Sequence, residues 1–284
     1  MKHVVGFSGG IDSQAVARWV LNRFPPEDVV LLNSDVGGHE HPFTEEFIQR
    51  YSTEVHPVTV VSPIVADLGN RGKKEGTAAK AARDQYRDDD LLTFDVLAKI
   101  KGRFPSRKAQ FCTEHLKLAP ANRWMRENLE YGQWVRYSGV RRDESRKRRD
   151  AKIGGWDDYF GCELIQPIAD WTKQMCFDYV KGHDEEVNPL YSLGFNRVGC
   201  APCINSSKGD VLNWVQRFPE MIDKVREYER KVGRTFFPPC VPGKELNWID
   251  DVVEWSKTVR GGRQKSLQIL YSPPVCESQY GLCE

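Results

Sequence analysis

A short apolar run, His3 to Phe7, leads directly into Ser8-Gly9-Gly10-Ile11-Asp12-Ser13, and the helical spacing of Ile11, Val16, Val20 and Leu21 follows at once. This strand–turn–helix junction at the start of the chain limits the fold more than any other feature. A Gly- and Ser-rich turn that opens a helix aims unpaired backbone N–H groups outward, at the positive end of the helix dipole. Such a turn suits a phosphate group. Gly9 and Gly10 let the backbone approach a phosphate closely, and Ser8 and Ser13 carry hydroxyl donors. Asp12 is unusual in an anion site unless it orients a donor or helps to hold Mg²⁺. The spacing is not G-x-x-x-x-G-K-[ST], so this is not a Walker loop. An ordinary helix start capped by Ser13 or Asp12 is the simpler alternative.

The pattern continues as alternating strands and helices. Asp28–Asn33 and Val58–Ser62 read as buried strands, and His41–Val55 reads as an amphipathic helix with Pro42 in its first turn. Leu118–Leu129 reads as a helix and Gln133–Ser138 as a strand, with shorter helices near 92–101, 170–182 and 248–257. Val211–Lys231 reads as one long helix broken near Pro219. Residues 69–90 are polar and Gly-bearing and predict a loop or weak helices, and the chain from about 259 predicts an irregular tail. The fold class is therefore α/β: a doubly wound, mostly parallel sheet with helices on both faces. The expected division is a nucleotide-binding domain over residues 1–165 and a smaller helical, cysteine-bearing region over 166–284.

Charge is balanced, with 41 basic and 40 acidic residues. That argues against a protein coated with nucleic acid along its length, but leaves a local anion site open. Positive charge does cluster at Arg141-Arg142-Asp143-Glu144-Ser145-Arg146-Lys147-Arg148-Arg149. No apolar run nears the roughly 20 residues a membrane helix needs, and the first residues do not form a signal peptide. The expectation is a cytoplasmic protein without a membrane partner. Eight cysteines in such a chain favour metal or redox chemistry over disulfides.

Ser8–Ser13 matches the S-G-G-x-D-S loop of the PP-loop ATP pyrophosphatases. Further segments resemble the phosphoadenosine phosphosulfate (PAPS) reductase branch of that superfamily, specifically a phage-type member. They are Asp35-Val36-Gly37, the stretch from Cys112 to Lys117, Gly139-Val140-Arg141-Arg142-Asp143-Glu144-Ser145 with Arg148, Pro167–Thr172, and Asn188–Tyr191 through Cys200-Ala201-Pro202-Cys203. These fall in the family's order across most of residues 4–205. The resemblance implies that Phe7 to Ser13, Asp35, Gly139, Arg141, Arg142, Glu144 and Ser145 bind an adenine nucleotide. It implies catalytic roles for Asp12, Lys117, Arg141 and Arg148. Guanidinium forks suit phosphate or sulfate oxygens, although Arg146, Lys147 and Arg149 also read as a solvated charge run and Lys117 as a surface lysine. The reductases carry a degraded phosphate loop, whereas the loop here is intact, which favours cleavage of ATP with Mg²⁺.

Cys200-Ala201-Pro202-Cys203 alone fits a zinc knuckle, a redox pair or cluster ligands. The resemblance makes Cys112 the third ligand, but Phe111 precedes it where cluster-containing reductases have a second cysteine. The missing ligand is then Cys283, Cys276 or Cys240, with Cys283 favoured. Cys283 has a rival role as a nucleophile on a C-terminal tail. Expected cofactors are ATP, Mg²⁺ and a [4Fe–4S] cluster, with Zn²⁺ as the alternative. Expected partners are an adenine nucleotide, a sulfur acceptor of unassigned identity with nucleic acid among the candidates, and a thiol reductant or sulfur-donor protein. The enzyme would cleave ATP to AMP and pyrophosphate and transfer sulfur at the cysteines. The alternatives are a sulfonucleotide reductase releasing sulfite, or a non-catalytic nucleotide-binding subunit.

Overall fold

A computed structural model describes residues 1–69 and 76–258. Its centre is a six-stranded sheet in the order β3-β2-β1-β4-β6-β5. The strands are β1 (Lys2–Gly6), β2 (Val29–Ser34), β3 (Val58–Val61), β4 (Trp134–Tyr137), β5 (Gly154–Asp157) and β6 (Cys162–Ile165). All neighbours pair in parallel except the edge strand β5, which runs antiparallel to β6. In register, Val5 of β1 sits between Leu31 of β2 and Tyr137 of β4. The central strands are apolar on both faces because helices cover both.

On one face Val5, Phe7, Leu31, Val135 and Tyr137 share a core with α1 (Ile11–Leu21), α2 (Pro42–Glu54) and α7 (Lys173–Lys181). On the other, Val4, Leu32, Val61 and Trp134 pack on Met125 of α6 (Ala119–Asn128) and on Phe160. A third core joins α4 (Phe94–Lys101) to α8 (Lys208–Arg217), α9 (Pro219–Val232) and α10 (Ile249–Ser256). The C-terminal helices therefore share their interior with residues 65–116, and α7 joins the sheet layer. The expected break near Pro219 separates α8 from α9, with the proline in the first turn of α9 where its missing N–H costs nothing. Thr77–Arg83 forms α3 inside the segment expected to be loop or weak helix.

Strands β5 and β6 were not expected from the sequence. Each has four residues, and β5 is largely exposed, so neither carries a readable period. A charge pair anchors them: the buried Arg136 guanidinium of β4 pairs with Asp157 of β5 and lies 3.6 Å from the Phe160 ring centroid. Among the described residues no helix is long and apolar enough to cross a membrane.

The loop after β2 is pinned to the Cys200–Cys203 turn. His39 Nε2 donates to the Pro202 carbonyl at 2.8 Å, the Ala201 N–H donates to the His39 carbonyl at 2.9 Å, and the imidazole stacks on Phe94 at 4.1 Å. Burial, reinforced by Lys224, holds the His39 pKa down to about 3, so the ring is neutral. The unfolded chain takes up a proton near pH 6.5 that the folded chain refuses. Stability from this site is therefore complete above about pH 6.5 and is lost as pH falls toward 3. In His39→Leu, urea unfolding between pH 7 and pH 5 should show a shallower decline of stability with falling pH than the parent. An identical slope would contradict the buried, neutral assignment.

Candidate active site

The strand order reverses between β1 and β4, because the chain proceeds from β1 to one side of the sheet and later fills the other. The crevice at the carboxyl ends of those two strands is where open α/β sheets take ligands. Ser8–Ser13 enters it from β1 and Ser138–Arg142 from β4.

Gly9 turns the loop at φ +74°, a conformation that side chains rarely adopt. The Ser13 hydroxyl closes the turn: it donates to the Gly10 carbonyl at 2.8 Å and accepts the Ser8 N–H at 3.1 Å. Its proton is thus spent inside the loop rather than pointed at a ligand. The Tyr191 hydroxyl accepts the Ile11 N–H at 2.9 Å, and Asn188 Nδ2 donates to Thr44 Oγ1 at 3.1 Å beneath the turn. Side chains of Phe7 and Ile11 go into the core, so what these two residues offer the crevice is backbone.

Asp12 is 1 % exposed. Its Oδ1 lies 2.8 Å from Arg141 Nε, but off the hydrogen-bond axis, and among the described residues neither carboxylate oxygen accepts a hydrogen bond. Arg141 also pairs with the more exposed Asp143. Gly139 makes this junction: a Cβ there would lie 3.0 Å from the carbonyl carbon of Asp12. The other basic residues of the cluster divide. Arg142 is tied down by Asp170 and by the Ala151 carbonyl at 2.9 Å. Arg148 is fully buried and pairs with Glu144, which shapes the loop from inside. The Ser145 hydroxyl is buried without a hydrogen-bond partner among the described residues. Asp35 Oδ1 accepts the Gly38 N–H at 3.1 Å and so shapes the turn after β2.

A thiol pocket adjoins the crevice. Phe111–Thr113 is a short helix, α5, and continues through a π-helical turn over Glu114–Leu118 into α6. Pro120 supplies no N–H for the Leu116 carbonyl, and the Ala119 N–H reaches back five residues to Glu114 instead. This turn buries Lys117 against Cys112, Cys200, Cys203 and Glu40. Burial alone would lower the Lys117 pKa, but its interaction with Cys200, Glu40, Cys203 and Cys112 outweighs that and raises it. Ser8 and Lys117 line one small cavity of about 40 Å³, so the lysine lies between the Ser8–Ser13 loop and the thiols.

The thiols are unequal. Burial pushes Cys112 up to about 11. Cys200 is raised well above the usual thiol range because it donates to Cys203 and is buried. Cys203 is drawn down to about 5, first by that hydrogen bond and then, against the cost of burial, by Arg197 and the Asn205 N–H at 3.4 Å. Cys203 is the thiolate of the pair. Three soft donors in one pocket suit iron–sulfur or zinc in kind. Among the described residues, however, no group of three or more His, Cys, Asp or Glu side chains is drawn into a metal-holding set. Cys240 lies elsewhere, with its N–H bonded to Asn247 Oδ1 at 3.1 Å. Cys276 and Cys283, with the irregular tail, lie outside the described residues.

Three further residues had no assigned role in the sequence. Glu40 bridges to Cys200 through the backbone, and burial pushes its carboxyl up to about 8. His39 pins the turn that carries the cysteines. Arg197 is 8 % exposed and forms no hydrogen bond through its guanidinium among the described residues, although it lies near enough to Cys203 to favour the thiolate. Position in the sequence gives no hint of Glu40 or His39. Arg197, three residues before Cys200, was legible as a basic residue beside a thiol pair.

The family model for the phosphoadenosine phosphosulfate reductase domain matches residues 2–206. An uncharacterised 37.8 kDa protein of Escherichia phage 186 is 31 % identical across 99 % of this chain and 96 % of its own length. An adenosine 5'-phosphosulfate reductase of Salinibacter ruber is 39 % identical over 39 % of this chain, and that of Rhodococcus opacus 36 % over 63 %. The matches span 43 % and 59 % of those two relatives. Among solved structures, the phosphoadenylyl-sulfate reductase of Candida auris aligns over 70 % of this chain and 81 % of its own, at 17 % identity and a TM-score of 0.46. On the match across residues 2–206 and the full-length phage relative, the chain belongs to the phosphoadenosine phosphosulfate reductase family.

Proposed function

We propose that this member of the family binds ATP at the Ser8–Ser13 loop, cleaves it between the α- and β-phosphates to activate an acceptor, and delivers sulfur from the neighbouring cysteines. The observation that carries the reading is the state of the loop. It is intact, closed by Ser13, and it holds at its mouth a buried Asp12 carboxylate whose oxygens accept no hydrogen bond among the described residues. Such a carboxylate fits an oxygen-seeking Mg²⁺ ion, which supplies charge neutralisation on the phosphates when bound.

The chain's own groups do the rest. N–H groups at the start of α1 other than that of Ile11, which Tyr191 holds, receive the β- and γ-phosphates. Arg141, held by Asp12, presents its guanidinium to the phosphate where charge develops, and Asp143 is the exposed partner that gives way. Lys117 stands between loop and thiols, where it steadies both the leaving oxygen and a sulfur anion. Adenylation makes an acceptor oxygen a leaving group, and sulfide-level sulfur supplied by a donor protein and held at the cysteines attacks the acceptor carbon, displacing AMP together with that oxygen. Cys112, Cys200 and Cys203 would hold a [4Fe–4S] cluster or Zn²⁺ together with a donor beyond the described residues, Cys283 or Cys276; such a centre would store or polarise sulfur.

A second reading has support in the similarity to adenosine 5'-phosphosulfate reductases. In it a cysteine thiolate attacks the sulfur of a sulfonucleotide, AMP or its 3'-phosphate departs, and a second thiol from a thiol reductant attacks the resulting thiosulfonate, releasing sulfite and leaving a disulfide. The two readings share the crevice and Arg141 and differ in the triphosphate.

Anaerobically purified protein given ATP, Mg²⁺ and candidate acceptors should release AMP and pyrophosphate in step with acceptor. Asp12→Asn should retain its fold and lower that rate on the order of 10²-fold, the loss seen when one transition-state donor is misplaced. Sulfite release from PAPS without any acceptor-dependent pyrophosphate would reject the first reading in favour of the second. For the cofactor, brown protein with a broad visible shoulder that Cys200→Ser abolishes is the expected result; colourless protein with stoichiometric zinc would replace the cluster by zinc.

A further inference from the structure

Beside the thiol pocket, on the outer side of the Phe111–Leu118 segment, lies a cleft of about 680 Å³ that the nucleotide reading does not use. Its walls are unusually basic. Lys101 and Arg103 come from the end of α4, Arg107 and Lys108 from the following turn, and Lys147 from the short turn Arg146–Arg148. Glu114 is the one carboxylate among the lining residues. Arg103, Arg107 and Lys108 are exposed and form no ion pair among the described residues. In a chain of net charge +1 this is a local concentration of charge and not a general one.

The cations are held in place. Ser106 and Ala109 exchange backbone hydrogen bonds of 3.1 and 3.0 Å, so Arg107 and Lys108 form the tip of a closed two-residue turn. Between the cations lies a half-buried aromatic ring: the Arg103 guanidinium carbon is 5.4 Å and the Lys101 ammonium 5.9 Å from the Phe111 centroid. Phe111 adjoins Cys112, so whatever occupies the cleft sits one residue from the thiol pocket.

A groove that combines exposed cations with an aromatic face suits single-stranded nucleic acid, whose phosphates take the cations and whose bases stack on the ring. An acidic protein surface would meet the charges but has no use for a concave pocket of this volume, which is in the range for enclosing a small molecular unit. We propose that this cleft binds a single-stranded sugar–phosphate segment, with phosphates at Arg103, Arg107 and Lys108 and a base at Phe111. In combination with the proposed function, on which this last step rests, the strand is the acceptor brought to the cysteines.

The test is equilibrium binding of fluorescent single-stranded oligonucleotides, one RNA and one DNA of the same sequence, to the full chain without ATP. Binding should weaken with salt at a log–log slope of roughly −0.7 per phosphate neutralised. The exposed triple variant Arg103→Ala/Arg107→Ala/Lys108→Ala should bind at least about tenfold more weakly and lose about 2 from the magnitude of that slope. Its ATP affinity should be unchanged, which checks the fold. Phe111→Leu should weaken binding at constant salt slope, as loss of stacking requires. The RNA and DNA arms decide which sugar is preferred. The proposal is overturned if neither strand binds, if the triple variant binds as the parent does, or if mononucleotides compete as well as the strand. Capture of an acidic protein that the oligonucleotide fails to displace also overturns it. Because ATP is absent, failure here leaves acceptor-dependent pyrophosphate release to be judged by itself, and failure of that release leaves strand binding standing.

Discussion

The contact between Asp12 and the strand beside it organises this molecule. A buried carboxylate at the first turn of α1 meets Arg141 from the end of β4 at 2.8 Å, and Gly139 lets the two backbones approach closely enough for that. The ends of two adjacent parallel strands therefore bring the start of α1 and a guanidinium to the same crevice. Taking two charges out of water is costly, and here the cost falls at the ligand site. Among the described residues the Asp12 oxygens accept no hydrogen bond, and in the proposed function a metal ion is what meets them.

The second constraint is the π-helical turn before α6. It inserts Lys117 between the Ser8–Ser13 loop and three thiols, and the His39–Glu40 segment braces the Cys200–Cys203 turn that carries two of them. Charge is distributed unevenly within this pocket. Cys203 is held as a thiolate by a donating Cys200 and by Arg197, while Cys112 stays protonated. Cys203 is thereby favoured as the nucleophile of the three, which suits either of the proposed reactions.

Much of this was legible in the chain. The parallel strands β1 to β4 are apolar runs separated by helical periods, and buried central strands have that appearance. The loop was legible because its glycines and serines occupy adjacent positions. Strands β5 and β6 were not, since their identity depends on a partner, Arg136 with Asp157, and not on their own four residues. The arginines were legible as a cluster but not as individuals. Only the folded chain separates Arg141, which faces Asp12 in the crevice, from Arg148, which is turned inward onto Glu144. Glu40 and His39 escaped notice because burial, not residue type, gives them their chemistry.

A pyrophosphate cradle at Ser8–Ser13 can be tested by nucleotide affinity without any knowledge of the acceptor. Calorimetric titration with ATP, AMP and PAPS in the presence of Mg²⁺, followed by displacement with inorganic pyrophosphate, separates the β- and γ-phosphates from the rest of the ligand. The account predicts that ATP binds at least about tenfold more tightly than AMP, a difference of about 1.4 kcal/mol, and that pyrophosphate alone displaces it. Equal affinity for ATP and AMP, or a preference for PAPS that pyrophosphate leaves untouched, would contradict it.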